Sequence, residues 1–328
     1  MSCDYYCQEK ISPDEMEPFR SPWEPPRAPV VPMSPLSNPH RCTRQHSPRR
    51  PLDFQYETTP AEIAEPSPHH ALAILTALRP RPSLLETLDS LEDAGLDRWT
   101  GPKIMYSDGP SSCREAAGTI DRQGWRVIRT AEPRGAAWSF VNLLRLCLTA
   151  DPDLDRLTFV EDDVELCRNA LDYVSRVRAC VLLSWFTFDY DWSCPGHAPA
   201  CPSQAAVADR TRGILARRST RYFILTQACT LPRRTVDLIL ACPHVASRWP
   251  KPDGHDEMIA WALGDAPYAV HFPILAQHTG HLNSAIEMAR ERHLPAGENP
   301  KPAYHVGQSP YYVGREFNAM SLAEGVLR

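Results

Sequence analysis

Leu157-Thr158-Phe159-Val160 is a largely apolar, strand-like run that ends in three consecutive carboxylates, Glu161, Asp162 and Asp163, before Val164. Such a strand must be buried. Three adjacent like charges raise one another's pKa and are costly unless a cation neutralises them. A hard divalent ion with oxygen ligands is the natural neutraliser. No turn separates the run from the carboxylates, so Glu161 and Asp163 are expected on one face, where they can share one metal, with Asp162 on the other. The fold therefore has to cover the strand while leaving its carboxyl end open to a ligand.

The surrounding pattern supplies that cover. Ala71–Leu78 reads as a second buried strand. Ser83 opens a helix, with Glu86 placed for a capping box, Leu84, Leu85, Leu88 and Leu91 as the apolar stripe, and Gly95 at the end. Lys103–Ser107 and Trp125–Arg129 read as strands and Trp138–Leu148 as a helix. Further on, Asn169–Val181 reads as a helix and Leu182–Phe188 and Arg221–Leu225 as strands. A helix from Pro232 to about Leu240 follows, then one capped by Asp253 from about Gly254 to Leu263, and a last strand over Tyr268–Phe272. Strand alternating with helix predicts an α/β fold with a mostly parallel central sheet flanked by helices. Residues 189–219 read as a long polar insertion, which in a compact domain is functional or disordered.

Residues 1–68 differ from the rest. Pro26, Pro29, Pro32 and Pro35 recur at the three-residue turn of polyproline II, and apolar periodicity is absent. We expect a disordered proline-rich tail, with docking to a proline-recognising partner as the sharper alternative. The domain proper is expected over 69–328. A net charge of −5 argues against a general nucleic-acid or anionic-membrane binder. The eleven cysteines are scattered with no C-x-x-C pair; Cys147, Cys167, Cys180 and Cys229 sit in apolar stretches and read as buried, reduced side chains. No apolar segment reads as a secretory signal or transmembrane span, so the expectation is a cytoplasmic protein.

Three further clusters carry chemistry. Tyr106-Ser107-Asp108-Gly109 ends a strand. His255-Asp256-Glu257 begins a helix. Gln277-His278-Thr279-Gly280 follows the last strand. Each has a plain structural reading: Asp108 as a turn residue, Asp256 and Glu257 as first-turn acids complementing a helix dipole, His278 as a satisfied structural histidine with His281 as its rival, Asn142 as an exposed helical position. Trp185, Phe186, Phe188, Tyr190 and Trp192 read as core on one face, with Tyr190 and Trp192 as the candidates for sugar contact.

Taken in order, over roughly residues 70 to 285, these parts resemble the GT-A glycosyltransferases. Ala71–Leu78, which carries Thr76, is similar to the family's first nucleotide-side strand. Asp108 occupies the place of the aspartate that contacts the nucleoside. Glu161-Asp162-Asp163 resembles the DXD metal motif in an E-D-D form. Asp256-Glu257 looks like the acidic pair that supplies the base in inverting members, and His278 looks like the C-terminal metal histidine. E-D-D-V followed late by F-P-x-x-x-Q-H-x-G is similar to the enzymes that branch N-glycans with N-acetylglucosamine.

The resemblance implies a transferase that moves a hexosyl or N-acetylhexosaminyl group from a nucleotide-sugar donor, a UDP-sugar, to a hydroxyl acceptor on a glycan or protein. It implies Mn2+ or Mg2+ held by Asp163, His278 and Glu161. Thr76, Asp108, Asn142, Glu161 and Asp162 would contact the donor, and Glu257, or Asp256, would be the base. The chain departs from the family in the single glycine of Ser247–Gly254, where a glycine-rich acceptor loop is common, and in opening the metal motif with glutamate. Two other readings stand beside this one. One is a nucleotidyltransferase, against which Arg79-Pro80-Arg81-Pro82 counts because it lacks glycine. The other is a non-catalytic protein acting through its tail.

Overall fold

The computed structural model describes residues 58–77, 83–110, 113–187, 213–219, 226–242, 245, 254–264, 266–279, 309 and 312–324. The chain divides into two units, Met1–Asp53 and Phe54–Arg328, and every described residue belongs to the second. The proline repeat, Arg79–Pro82, Arg221–Leu225, Asp253, His281, and the aromatics Phe188, Tyr190 and Trp192 lie outside the described residues.

The expected parallel unit forms. Strands β2 (His70–Ala77), β3 (Lys103–Asp108), β4 (Arg126–Arg129) and β5 (Arg156–Glu161) pair in parallel in the order β5-β2-β3-β4. Helices α1 (Leu84–Asp93), α2 (Ala117–Gln123) and α3 (Ala136–Ala150) connect them. β2 is buried along almost its whole length because helices cover both faces, which is why it reads as a continuous apolar run. Strand order reverses between β2 and β5, and such a switch point opens a crevice at the strands' carboxyl ends.

The second half extends the sheet beyond β5. β6 (Val164–Leu166), α4 (Ala170–Arg176), β7 (Leu182–Ser184), β8 (Ile214–Ser219), β9 (Ala228–Pro232), α5 (Arg233–Ala241), α6 (His255–Leu263), β10 (Pro267–Phe272), β11 (Ala276–His278) and α7 (Met320–Glu324) follow in the chain. With β1 (Thr58–Pro60), the described sheet runs β1-β8-β10-β7-β9-β5-β2-β3-β4. Only β8 and β9 run against the other described strands of this sheet, so it is mostly parallel, as expected. A separate two-stranded ladder pairs β6 with β11.

Several expectations need correction. Order begins before residue 69: β1 pairs with β8, and Ala61 is buried with its amide bonded to the Gly213 carbonyl. Three residues ending in proline carry no periodic signal, and pairing alone makes them a strand. The 189–219 segment likewise ends in β8. The Asn169–Val181 helix is only seven residues, because Val177 turns extended. The capping box does not form; Ser83 has helical backbone angles and makes no side-chain cap bond. Leu85 is exposed, while Thr87 and Ser90 of α1 are buried and accept hydrogen bonds from the Val164 and Leu166 amides of β6. Cys147, Cys167 and Cys229 are buried free thiols, but Cys180 is exposed. Trp185 and Phe186 belong to the core, with the Trp185 indole donating to Thr230 at 2.8 Å.

Candidate functional site

The three carboxylates do not continue the strand. Glu161 is the last residue of β5, and Asp162-Asp163 form the turn into β6. The turn lets each carboxylate face a different partner, so the alternation expected of an extended run gives way to three separate contacts.

Asp162 reaches back across the switch point. Its Oδ2 accepts from the Thr76 hydroxyl at 2.7 Å and from the Ala77 amide at 3.3 Å. Both side chains are buried, and together they tie the end of β2 to the end of β5. The structure thus brings Thr76 and Asp162 together, with the Thr76 hydroxyl directed at the carboxylate.

Asp163 meets His278. The β6–β11 ladder sets His278 opposite Val164, one residue past Asp163. The Thr279 amide and hydroxyl both donate to the Asp163 carbonyl, at 2.8 and 2.9 Å. With the backbones locked, His278 Nε2 stands 3.1 Å from Asp163 Oδ2 across 115 positions of sequence. Both side chains are almost wholly buried, at 7% and 2% exposure. Partial charges that deep stay only when paired or ligated.

Glu161 faces the other way. Its Oε1 accepts from the Thr226 hydroxyl at 2.9 Å and lies 3.1 Å from His255 Nε2. Burial pushes the Glu161 carboxyl up, but the hydrogen bond and charge of His255 outweigh it and hold the acid below its ordinary value. Burial pulls His255 down, and Glu161, with Asp256 and Asp163, more than reverses that. The two sit as an ion pair, and Glu161 feels the charges of Asp163 and His278 as well, so the pairs adjoin.

Asp108 is at the same edge of the sheet, at the end of β3. Its two oxygens accept from the backbone amides of Arg134 and Gly135, at 2.7 and 2.9 Å. The expected nucleoside contact therefore falls on a carboxylate that already anchors the entry to α3. Asn142 remains with its own helix, donating to the Trp138 carbonyl at 2.9 Å; among the described residues it makes no hydrogen bond to the carboxylates. Asp256 and Glu257 occupy the second and third positions of α6, directly after His255. Gly254, with φ at +88°, turns the chain into that helix in a conformation other residues rarely adopt.

Sequence reasoning missed Thr226, and it named His255 in a chemical cluster without giving it a role. His255 was visible beside the acidic pair, but nothing local joined it to Glu161. Thr226 lies just before β9, a strand too short and too weakly patterned to be recognised.

Among the described residues, no three of His, Cys, Asp and Glu stand together as a metal cluster. Asp163 and His278 still fit a divalent ion of one kind: one whose remaining ligands come from a bound phosphate and water, as is usual for Mg2+ with nucleotides. The carboxylate suits such a hard ion, the imidazole is the softer ligand of the two, and both lie at an edge where sheets of this kind bind ligands.

No family model matches the sequence, and no curated protein matches it. The solved structures to which the chain is similar over part of its length include the following. A mannosyltransferase from Pyrobaculum calidifontis, in complex with GDP-mannose and Mn2+, is 13% identical with a TM-score of 0.35, over 55% of this chain and 49% of that one. GalNAc-T7 with UDP, GalNAc and Mn2+ is 11% identical with a TM-score of 0.41, over 61% of this chain and 41% of that one. TarS of S. aureus is 10% identical with a TM-score of 0.37, over 61% and 34%. The chain thus spans half or less of the length of each. No helix among the described residues is long and apolar enough to cross a membrane.

Proposed function

We propose that the protein is a metal-dependent glycosyltransferase that moves a sugar from a nucleotide diphosphate sugar, a UDP-sugar, to an acceptor hydroxyl with inversion. The observation that carries this reading is the Asp163–His278 pair, assembled 3.1 Å apart at the carboxyl edge of the sheet from residues 115 positions apart. The pair stands with two more carboxylates at the carboxyl ends of the strands beside a switch point, where sheets of this kind bind their ligands.

Asp163 and His278 would hold Mn2+ or Mg2+, which when bound offsets the charge of the donor's diphosphate and of the departing nucleotide. Glu161, turned toward His255 and Thr226, holds the His255 ring rather than serving as a third direct ligand. Asp162 and Thr76 keep the ends of β5 and β2 in register, so that the crevice between them has a fixed floor. Asp108 holds the start of α3 at the rim. Glu257, or Asp256, takes the proton of the acceptor hydroxyl as its oxygen attacks the anomeric carbon and the bond from that carbon to the diphosphate oxygen breaks.

The test is thermal unfolding with UDP, UDP-glucose, UDP-galactose, UDP-GlcNAc and UDP-GalNAc, each with and without Mn2+. A stabilisation by one of them that a chelator removes is expected, and D163N is expected to abolish it and to lower turnover on the order of 10²–10³-fold. A D163N protein with undiminished metal-dependent stabilisation would remove Asp163 from the site. A product of retained anomeric configuration by proton NMR would overturn the direct displacement.

A further inference from the structure

His255 is the first residue of α6, and its ring is held from three sides. It stacks on Phe140 of α3, with centroids 5.4 Å apart and planes 28° from parallel. It meets Phe159 of β5 edge-on at 5.8 Å. Its Nε2 bonds Glu161 at the end of β5, and Glu161 is steadied by the Thr226 hydroxyl ahead of β9. One buried imidazole therefore joins α6 to α3, β5 and, through Glu161, β9.

We propose that His255 is a positioning residue that pins the first turn of α6 to the end of β5. Asp256 and Glu257 are the next two residues of that turn, so this contact sets the start of their backbone relative to the Asp163–His278 pair, while the buried Met258 and Ile259 hold the rest of the helix. The turn needs such a pin. Gly254 precedes it in the left-handed region, and α6 has no side-chain N-cap. A nine-residue helix is too short to hold itself, so its placement depends on tertiary contacts. The consequence for catalysis, that His255 sets where the candidate base stands, rests on the glycosyltransferase reading above. The pin itself does not.

Two readouts separate the two ideas. The first is amide hydrogen exchange on the full chain. H255A is expected to speed exchange in α6 at least tenfold relative to wild type, with the amides of β2 and β3 unchanged. H255Q, whose amide nitrogen reaches the place of Nε2, is expected to restore most of the protection. Unchanged α6 exchange in H255A overturns the pin, and so does loss of protection spread evenly over the chain, which would make His255 an ordinary core residue.

The second readout is hydrolysis of the UDP-sugar that the thermal screen selects, with Mn2+–UDP affinity measured by calorimetry. H255A is expected to lower kcat at least tenfold while the Mn2+–UDP Kd moves less than twofold, with H255Q recovering most of kcat. A matching loss of affinity and kcat would overturn the positioning role and place the His255–Glu161 pair in the metal site. If the wild-type protein binds no Mn2+–UDP and hydrolyses no UDP-sugar, the glycosyltransferase reading falls, and the exchange result still decides the pin.

Discussion

The strands from β5 to β4 and the strands beyond β5 are built in different ways. β2, β3, β4 and β5 are parallel strands, and α1, α2 and α3 carry the chain from each to the next. Beyond β5, neighbours in the sheet are far apart in sequence: β10 lies between β7 and β8, and β9 lies between β5 and β7. The first region brings the carboxylates of Glu161, Asp162 and Asp163 to the edge. The second answers them with His278, Thr226 and His255. Negative charge in this site is local, and its compensation is long-range.

The first region should be the stiffer one, and its core is where the contrast breaks most easily. Phe159 is fully buried, meets Phe140 edge-on at 4.9 Å, and supports the His255 ring. F159A is expected to cost about 3–5 kcal/mol in urea unfolding. If the loss were below about 1 kcal/mol, β5 would not be the keel of the sheet.

The second region carries a buried acid-sensitive group. His271 of β10 lies 3.0 Å from the Tyr173 hydroxyl through Nε2 and 2.8 Å from the Pro273 carbonyl through Nδ1. Only the neutral ring, with the proton on Nδ1, both donates to Pro273 and accepts from Tyr173. Burial drives its pKa down to about 4, with the Pro273 bond opposing. The unfolded chain takes up this proton near pH 6.5 and the folded chain only near 4, so acidification through that window favours unfolding. The expected loss is about 3 kcal/mol between pH 6.5 and 4. H271Q takes up no proton there and should flatten that part of the stability–pH curve; an unaltered slope would acquit His271. Burial also depresses His70 of β2, with Arg156 adding to it, so the comparison sharpens if β10 amides lose protection before those of β2 as pH falls.

The smallest expected effect lies at the seam. T76V keeps the shape of the side chain and deletes the hydroxyl that donates to Asp162. A buried carboxylate deprived of a donor costs about 1–3 kcal/mol. Equal stability of T76V and wild type would mean that the Thr76–Asp162 contact does not couple the two strand ends.

Much of the first region was legible because its elements carry their own signals. Ala71–Leu78 and Leu157–Val160 are apolar runs long enough to announce buried strands, and Gly264 ends α6 where expected. β1, β9 and β11 were not legible. Thr58-Thr59-Pro60 and Ala276–His278 are too short for a periodic pattern, Ala228–Pro232 mixes Cys, Thr and Pro into its run, and all three become strands only by pairing with a distant partner. The failed capping box at Ser83 has the same root: Thr87 and Ser90 turn inward to serve β6, and this contact orients the start of α1.

Residue order alone determined the alternation of strand and helix, the parallel core, and the placing of three carboxylates at a strand's end, because backbone preference and apolar spacing act over a few residues. It also listed His278 and the acidic pair after His255. Tertiary structure alone decided that Asp162-Asp163 would turn, that Asp162 would face Thr76, and that Asp163 would meet His278 while Glu161 met His255. Those choices depend on which buried charge finds which partner, and that is settled only when the whole sheet closes around them.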